Sequence, residues 1–426
     1  MKIMHIADLH FGKSLKGYSL REDQRDWGKK FLEKADEEKP DAIVIAGDIY
    51  DRSAPNDEAV DLMDWFFTEL AKREAHVFVV SGNHDSGHKI SFMSEVLSKN
   101  RIHIAGKIKA EMEHVTLNDE FGPVTFWMMP YIFPAALEGI SGEESRPKTY
   151  EDAARMYIAM QDMDFSQRNV IVAHQLVTAN GFTDSILGGS ESVIGGVGNI
   201  PADVFEGFDY VALGHIHKAQ TVGKETVRYA GSPLCYHFDE IRFPDKGPVV
   251  IELPEKGSEP EIHVDLIEPE HRLIEIKGSY REIMSAKETG IYRFTDDEGK
   301  EAEEDLRGRY VKAVITDENP ETGARDSIAG MIEAYGGRLL ETSYMRRLSS
   351  AGRSGTDGRR HENKALDELF CEFLEGRDRL PDKSQKAIIG KLTEILENTP
   401  SDDYTQASDK GTDRLVNFIL DMEDDE

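Results

Sequence analysis

The chain has 426 residues and a formal net charge of −30 at pH 7, from 81 acidic against 51 basic side chains. At about 100–200 residues per domain it divides into two to four units, and its 39% hydrophobic content is enough for a real core. The acid excess excludes a protein whose whole surface binds nucleic acid, because phosphate contacts require Lys and Arg, although a local basic groove or a channel shared with a partner remains compatible with it.

Short, β-branched apolar runs bounded by Gly, Asp or Asn predict buried strands. The first, Lys2–Ala7, leads into Asp8-Leu-His10. Ala42–Ala46 leads into Gly47-Asp48-Ile-Tyr-Asp51. Ala59–Lys72 follows, with Val60, Met63, Trp65, Phe66, Phe67 and Leu70 near helical spacing. His76–Val80 leads into Gly82-Asn83-His84-Asp85. Val124–Met129 comes next, then Val170–Ala173 before His174, and Tyr210–Leu213 before Gly214-His215-Ile-His217. Val249–Leu253 closes the series. Strand–helix–strand alternation predicts an α/β layered domain over 1–268.

A second unit is expected at 269–347. Arg272–Lys277, Tyr310–Thr316 and Arg338–Thr342 predict strands, and Tyr280–Ala286 and Asp326–Tyr335 predict helices, which makes a small α+β domain. The Gly-, Ser- and Arg-rich stretch 348–361 predicts a flexible linker. Beyond it, 362–426 carries two apolar stripes at helical spacing, Leu366–Leu374 and Ile388–Leu396, and a weaker third. Cys235 and Cys371 lack CxxC spacing and predict reduced thiols. No signal-peptide segment opens the chain and no run of 18 apolar residues occurs. The expectation is a cytoplasmic protein without a membrane span.

The five polar motifs share one placement, the carboxyl end of a predicted strand. Loops at that edge of an α/β sheet converge on one crevice. A lone Asp-x-His or a lone His is common by chance, and Gly-Asp-x-x-Asp alone fits a capped turn; five such motifs after five strands point to metal chemistry. A carboxylate shared by two divalent ions holds them about 3.5–4 Å apart. Asp48, central among the motifs, is the candidate bridge. Asp8, His10 and His217 complete one site, and Asn83, His174 and His215 the other. Imidazole with carboxylate and amide oxygen suits Mn²⁺, Fe²⁺ or Zn²⁺ without choosing among them, and Mg²⁺ less well. Such a pair activates water for phosphoester hydrolysis, and no Gly-x-Ser-x-Gly nucleophile is present. His84 is the candidate for the leaving oxygen, as general acid or as stabiliser of developing charge. Asp51 is expected to orient His84, and Asp85 to brace its loop. The nine other histidines and the three tryptophans are assigned to packing or surface.

These motifs resemble the calcineurin-like metallophosphoesterase superfamily. Ala7-Asp-Leu-His-Phe-Gly12, Gly47-Asp-Ile-Tyr-Asp-Arg-Ser53, Ser81-Gly-Asn-His-Asp85, Tyr210-Val-Ala-Leu-Gly-His-Ile-His217, Tyr229-Ala-Gly-Ser-Pro-Leu234 and Phe238-Asp-Glu240 resemble, more narrowly, the SbcD-type nuclease subunits. The resemblance covers residues 1 to 240 well and the rest more loosely. It implies two packed β-sheets flanked by helices, with a capping domain and C-terminal helices. It implies the same seven ligands, two ions that are Mn²⁺ with Mg²⁺ as the alternative, and His84 facing phosphate. It also implies a DNA exonuclease and endonuclease in the bacterial cytoplasm at the nucleoid, a homodimer within a heterotetramer with an SbcC-type ATPase. The chain lacks Gly-x-x-x-x-Gly-Lys-[Ser/Thr], so ATP hydrolysis would come from that partner. Rival expectations are another phosphodiesterase or phosphatase, and a scaffold without catalysis.

Overall fold

The computed structural model describes residues 1–137, 140, 146–179, 198–295, 299–317 and 321–345. The expected linker at 348–361 and helical region at 362–426 lie outside the described residues, as does Cys371. Two six-stranded sheets carry the first domain. In one, the order is Glu261–Val264, Val249–Glu252, Lys2–Ile6, Ala42–Ala46, His76–Val80, Ile102–Ala105. Its last four strands run parallel and the first two antiparallel. In the other, the order is Gln220–Val222, Lys224–Tyr229, Tyr210–Gly214, Arg168–His174, Gly122–Met129, Glu113–Asp119. The four central strands are parallel and both edges antiparallel.

Parallel strands buried on both faces need continuous apolar sequence, which is why Ala42–Ala46 reads Ala-Ile-Val-Ile-Ala and is buried throughout. The inner faces meet in a core that includes Ile3, Val44, Phe78, Phe126, Val172 and Ala212. Phe78 and Phe126 stack across it with centroids 4.3 Å apart and planes 5° from parallel. Helices Arg21–Glu38 and Asp57–Ala71 cover the first sheet through Trp27, Phe31 and Phe66. Tyr150–Ala159 covers the second through Ala153, Ala154 and Tyr157. The architecture is the helix-flanked pair of sheets that the resemblance implies.

The expected helix at Ala59–Lys72 begins two residues earlier, at Asp57, because Asn56 Oδ1 accepts the Ala59 amide at 2.9 Å and caps it. Helix Arg21–Glu38 was not expected. Its sequence is dominated by charge, and its buried face holds Asp23 and Gln24 beside Trp27 and Phe31. Edge strand Glu113–Asp119 was also not expected; its side chains alternate half-buried and exposed, so it has no apolar run.

Residues 273–345 form a parallel three-stranded sheet of Leu273–Gly278, Tyr310–Ile315 and Arg338–Tyr344. Helices Tyr280–Met284 and Ala324–Ala334 pack on it around Ile276, Ile283, Val311, Ile328 and Ile332. A hairpin of Ile291–Thr295 and Glu301–Asp305 is added to the predicted elements. Buried Asp23 ties this α+β unit to the sandwich: it accepts from His271 Nδ1 and from Tyr310 Oη, each at 2.7 Å.

Candidate metal centre

The two sheets abut at their carboxyl ends. Gly214 pairs with His174 in register, and His174 Nδ1 donates to the Ala46 carbonyl of the other sheet at 2.8 Å. The five loops that follow Lys2–Ile6, Ala42–Ala46, His76–Val80, Arg168–His174 and Tyr210–Gly214 therefore open into one cleft. Their backbones are strained there. Asp8, His10, Asp48 and His215 all have left-handed φ, at 54°, 44°, 49° and 101°. Non-glycine residues enter that region rarely, and such strain persists where surrounding structure enforces it, commonly at functional sites. Gly82 is needed for a different reason: a Cβ there would overlap the Asp48 carboxylate.

All seven expected ligands meet in this cleft. Donor atoms of Asp8, His10 and His217 lie within 4.8 Å of one another, as do those of Asp8, Asp48 and His174. His10 Nε2 faces His217 Nε2 at 3.0 Å. Asn83 Oδ1 lies 3.0 Å from both His174 Nε2 and His215 Nδ1. Asp48 Oδ2 sits between the halves, 3.6 Å from His10 Nε2 and 3.3 Å from His174 Nε2. Asp8 also reaches the second group, with Oδ1 3.8 Å from His174 Nδ1.

This donor set fits divalent cations. Asp8 Oδ2 and Asp48 Oδ2 are buried without a hydrogen-bond partner, a costly state for a carboxylate unless a cation satisfies it. Burial pushes Asp8 up to about 6. Burial would also raise Asp48, but His174, His10 and His84 hold it well below the usual carboxylate range. Burial would lower His174, yet Asp48 and Asp8 lift it to about 9. The two buried carboxylates thus favour positive charge at this point of the cleft, which a bound cation would supply. Burial keeps His10 neutral, well below its ordinary value, as a ligand must be.

His84 lies beside this set, its ring perpendicular to that of His10 at 5.0 Å. Its amide donates to Asp48 Oδ1 at 2.9 Å. Asp51 is hydrogen-bonded to His84 through its main chain: His84 Nδ1 meets the Asp51 carbonyl oxygen at 2.9 Å. The Asp51 carboxylate instead pairs with Lys13 Nζ at 2.8 Å. Asp85 braces the loops as expected, accepting from the amides of Ile49, Tyr50 and Gly82 at 3.1, 3.0 and 3.0 Å.

Several supporting residues had no role in the sequence reading. His217 Nδ1 is bonded to Glu240 Oε1 at 2.9 Å. Burial would raise Glu240, but Lys246 and His217 hold it well below the usual carboxylate range. Gln24 Nε2 donates to the carbonyls of Leu9 and His10 at 3.2 and 2.7 Å and fixes that strained turn. The Tyr131 ring lines the other side, 6.2 Å from His174 and 6.5 Å from His215. Only Glu240 carried a sequence signal, as part of Phe238-Asp-Glu240.

Comparison with known proteins agrees with this fold. The family model described as calcineurin-like phosphoesterase matches residues 1–219. The chain is 31% identical over 290 residues to the SbcD subunit of nuclease SbcCD from Staphylococcus saprophyticus, covering 67% of this chain and 74% of that protein. It is 29% identical over 290 residues to the Staphylococcus epidermidis protein of the same name, covering 67% and 75%. A solved structure of Haemophilus influenzae NAD nucleotidase overlaps at a TM-score of 0.36 and 11% identity, over 79% of this chain and 60% of that one, a likeness too slight to bear on function. With half the chain matched by the family and the strained Asp and His turns at its strand ends, the chain belongs to the calcineurin-like phosphoesterases and, among them, to the family of SbcD nuclease subunits.

Proposed function

We propose that the chain is a two-metal DNA nuclease that digests double-stranded ends and cuts hairpins and single strands, acting with an SbcC-type ATPase in end processing and repair. The observation that carries this reading is the convergence of Asp8, His10, Asp48, Asn83, His174, His215 and His217 around buried carboxylate oxygens that lack a partner. The relatives named as SbcCD nuclease subunits support the substrate and the partner.

Asp8, His10, His217 and Asp48 would hold one ion, and Asn83, His174, His215 and Asp48 the other, with Mn²⁺ the expected metal. When bound, such ions activate water and offset charge on phosphate oxygens. The chain's own groups do the rest. Asp48 fixes the spacing of the two halves and anchors the His84 loop through its amide. With His84 Nδ1 committed to the Asp51 carbonyl, Nε2 is the atom that gives a proton or hydrogen bond to the departing 3′ or 5′ oxygen. Lys13, paired with Asp51, supplies positive charge at the rim in a chain of strongly acidic balance.

Residues 269–347 are assigned as a cap over the DNA path, 348–361 as a linker, and 362–426 as the helical segment that docks on the ATPase. The homodimer would form through one of two candidate segments, Ala59–Lys72, which exposes Val60, or Phe92–Ser98, which exposes Phe92, Met93 and Val96. A cytoplasmic, nucleoid-associated location follows from the substrate, and none of the described helices is long and apolar enough to cross a membrane.

The test is cleavage of labelled duplex and hairpin DNA by the purified chain with Mn²⁺ or Mg²⁺, with and without the ATPase and ATP. Mn²⁺-dependent cutting, raised by the partner and absent in Asp48→Ala, is expected. Intact DNA with turnover of a phosphomonoester or nucleotide would keep the metal centre and overturn the substrate.

A further inference from the structure

The two halves of the centre differ in what stands behind their histidines. The half containing Asp8, His10 and His217 has a carboxylate of its own besides the shared Asp48. The half containing Asn83, His174 and His215 has the shared one, with Asp8 Oδ1 standing off at 3.8 Å from His174 Nδ1. Behind His217, Nδ1 meets the Glu240 carboxylate at 2.9 Å. Behind His174, Nδ1 meets the neutral Ala46 carbonyl at 2.8 Å.

Glu240 is itself held in place. Its Oε2 accepts from Lys246 Nζ at 2.9 Å and from Ser232 Oγ at 3.1 Å. Lys246 Nζ reaches Ser232 Oγ at 2.8 Å and the His217 carbonyl at 3.0 Å. All four side chains are buried, with Glu240 1% exposed and Lys246 6%. Burying an ion pair costs desolvation, and apolar residues of similar volume commonly stabilise a fold as well or better. A buried Glu–Lys pair whose free carboxylate oxygen reaches a ligand histidine therefore has a use beyond packing. Either acceptor fixes the Nδ1–H tautomer and turns Nε2 to the cleft, but an anionic acceptor also raises the basicity of the ring as a ligand.

We propose that Glu240, locked by Lys246 and Ser232, is a positioning residue for His217 that makes the Asp8–His10–His217 half the tight site, whose ion is resident. The Asn83–His174–His215 half binds its ion more weakly and exchanges it. This rests on the two-metal reading of the centre.

The metal-free full chain is titrated with Mn²⁺ by calorimetry and followed by electron paramagnetic resonance. The wild type shows two binding steps; Asp8→Asn removes the tighter and His215→Ala only the weaker. At one equivalent the wild type gives the spectrum of an isolated ion. Glu240→Gln weakens the first step by about 10–100-fold, leaves the second in place, and brings spin-coupled pairs forward to low loading. The double variant Glu240→Gln/Lys246→Met leaves no unpaired buried charge, and it shows the same selective loss with an unchanged melting temperature in the absence of metal. Equal affinities in the wild type, a first step lost in His215→Ala, or both steps shifted alike in the folded double variant would overturn the inference. Fewer than two ions bound by the wild type would overturn the two-metal reading with it. Two ions bound in the predicted order beside uncut DNA would support the inference and overturn only the substrate.

Discussion

His84→Ala separates proton chemistry from ion binding. One His84 nitrogen lies within 4.8 Å of donor atoms of His10 and Asp51, so a ligand role is a concrete rival. The proposed role leaves both ions in place, because Asp8, His10, Asp48, Asn83, His174, His215 and His217 are untouched. The loop also keeps its shape, since the bond to Asp48 Oδ1 comes from the His84 main-chain amide and survives truncation. Truncation removes the half-buried hydrogen bond from Nδ1 to the Asp51 carbonyl, a loss of about 1 kcal/mol. Catalysis loses a positioned proton donor, about 10²–10⁴-fold in kcat, or about 3–5 kcal/mol of barrier.

The assay pairs metal content after gel filtration with two substrates. On DNA, whose leaving alkoxide needs a proton, the full loss is expected. On bis-p-nitrophenyl phosphate, whose leaving group departs as a stable anion, the loss is much smaller. An ion missing from the variant would make His84 a ligand and refute the assignment. Equal losses on both substrates would refute the proton role and leave stabilisation of the phosphate.

Asp48→Ala removes the one oxygen that both halves share, so elemental analysis should find both ions gone and no cleavage at any Mn²⁺ concentration that saturates the wild type. Phe126→Ala breaks the stack with Phe78 between the sheets and should cost about 3–5 kcal/mol in urea unfolding; a loss under about 1 kcal/mol would mean the sheets repack freely. Asp119 is held below its ordinary value first by the Arg168 guanidinium and then by the amino terminus. A depressed carboxylate adds stability above its unfolded value that is lost as pH falls, so the gap between wild type and Asp119→Asn should hold at neutrality and shrink below about pH 4; a gap independent of pH would refute this. Asp23→Ala leaves His271 and Tyr310 without their shared acceptor, and proteolysis near 268–272 should accelerate while metal content stays at the wild-type level.

The residues that converge in the cleft were legible because their signal is local. A parallel strand must be continuously apolar, its loop must turn at once, and the donor stands on that turn, so run, glycine and ligand are neighbours in sequence: Ile43–Ala46, Gly47, Asp48. What holds the ligands was illegible for matching reasons. The acceptor behind His174 is the Ala46 carbonyl, and every residue has a carbonyl. The Asp51 carbonyl meets His84 in the same way, and a main-chain acceptor leaves no mark in the residue type. Glu240 stands 23 positions from His217, across two strands whose own sequence says nothing of that pairing. The missed elements follow the same rule. Glu301–Asp305 reads Glu-Ala-Glu-Glu-Asp and becomes a strand by pairing with Ile291–Thr295, not by any pattern of its own. Helix Arg21–Glu38 buries Gln24 to hold the Leu9 and His10 carbonyls; that demand weakens the apolar stripe by which a helix is recognised. The sequence features that support this centre thus cost the signal that would have revealed them, and Glu240→Gln is where that cost becomes measurable.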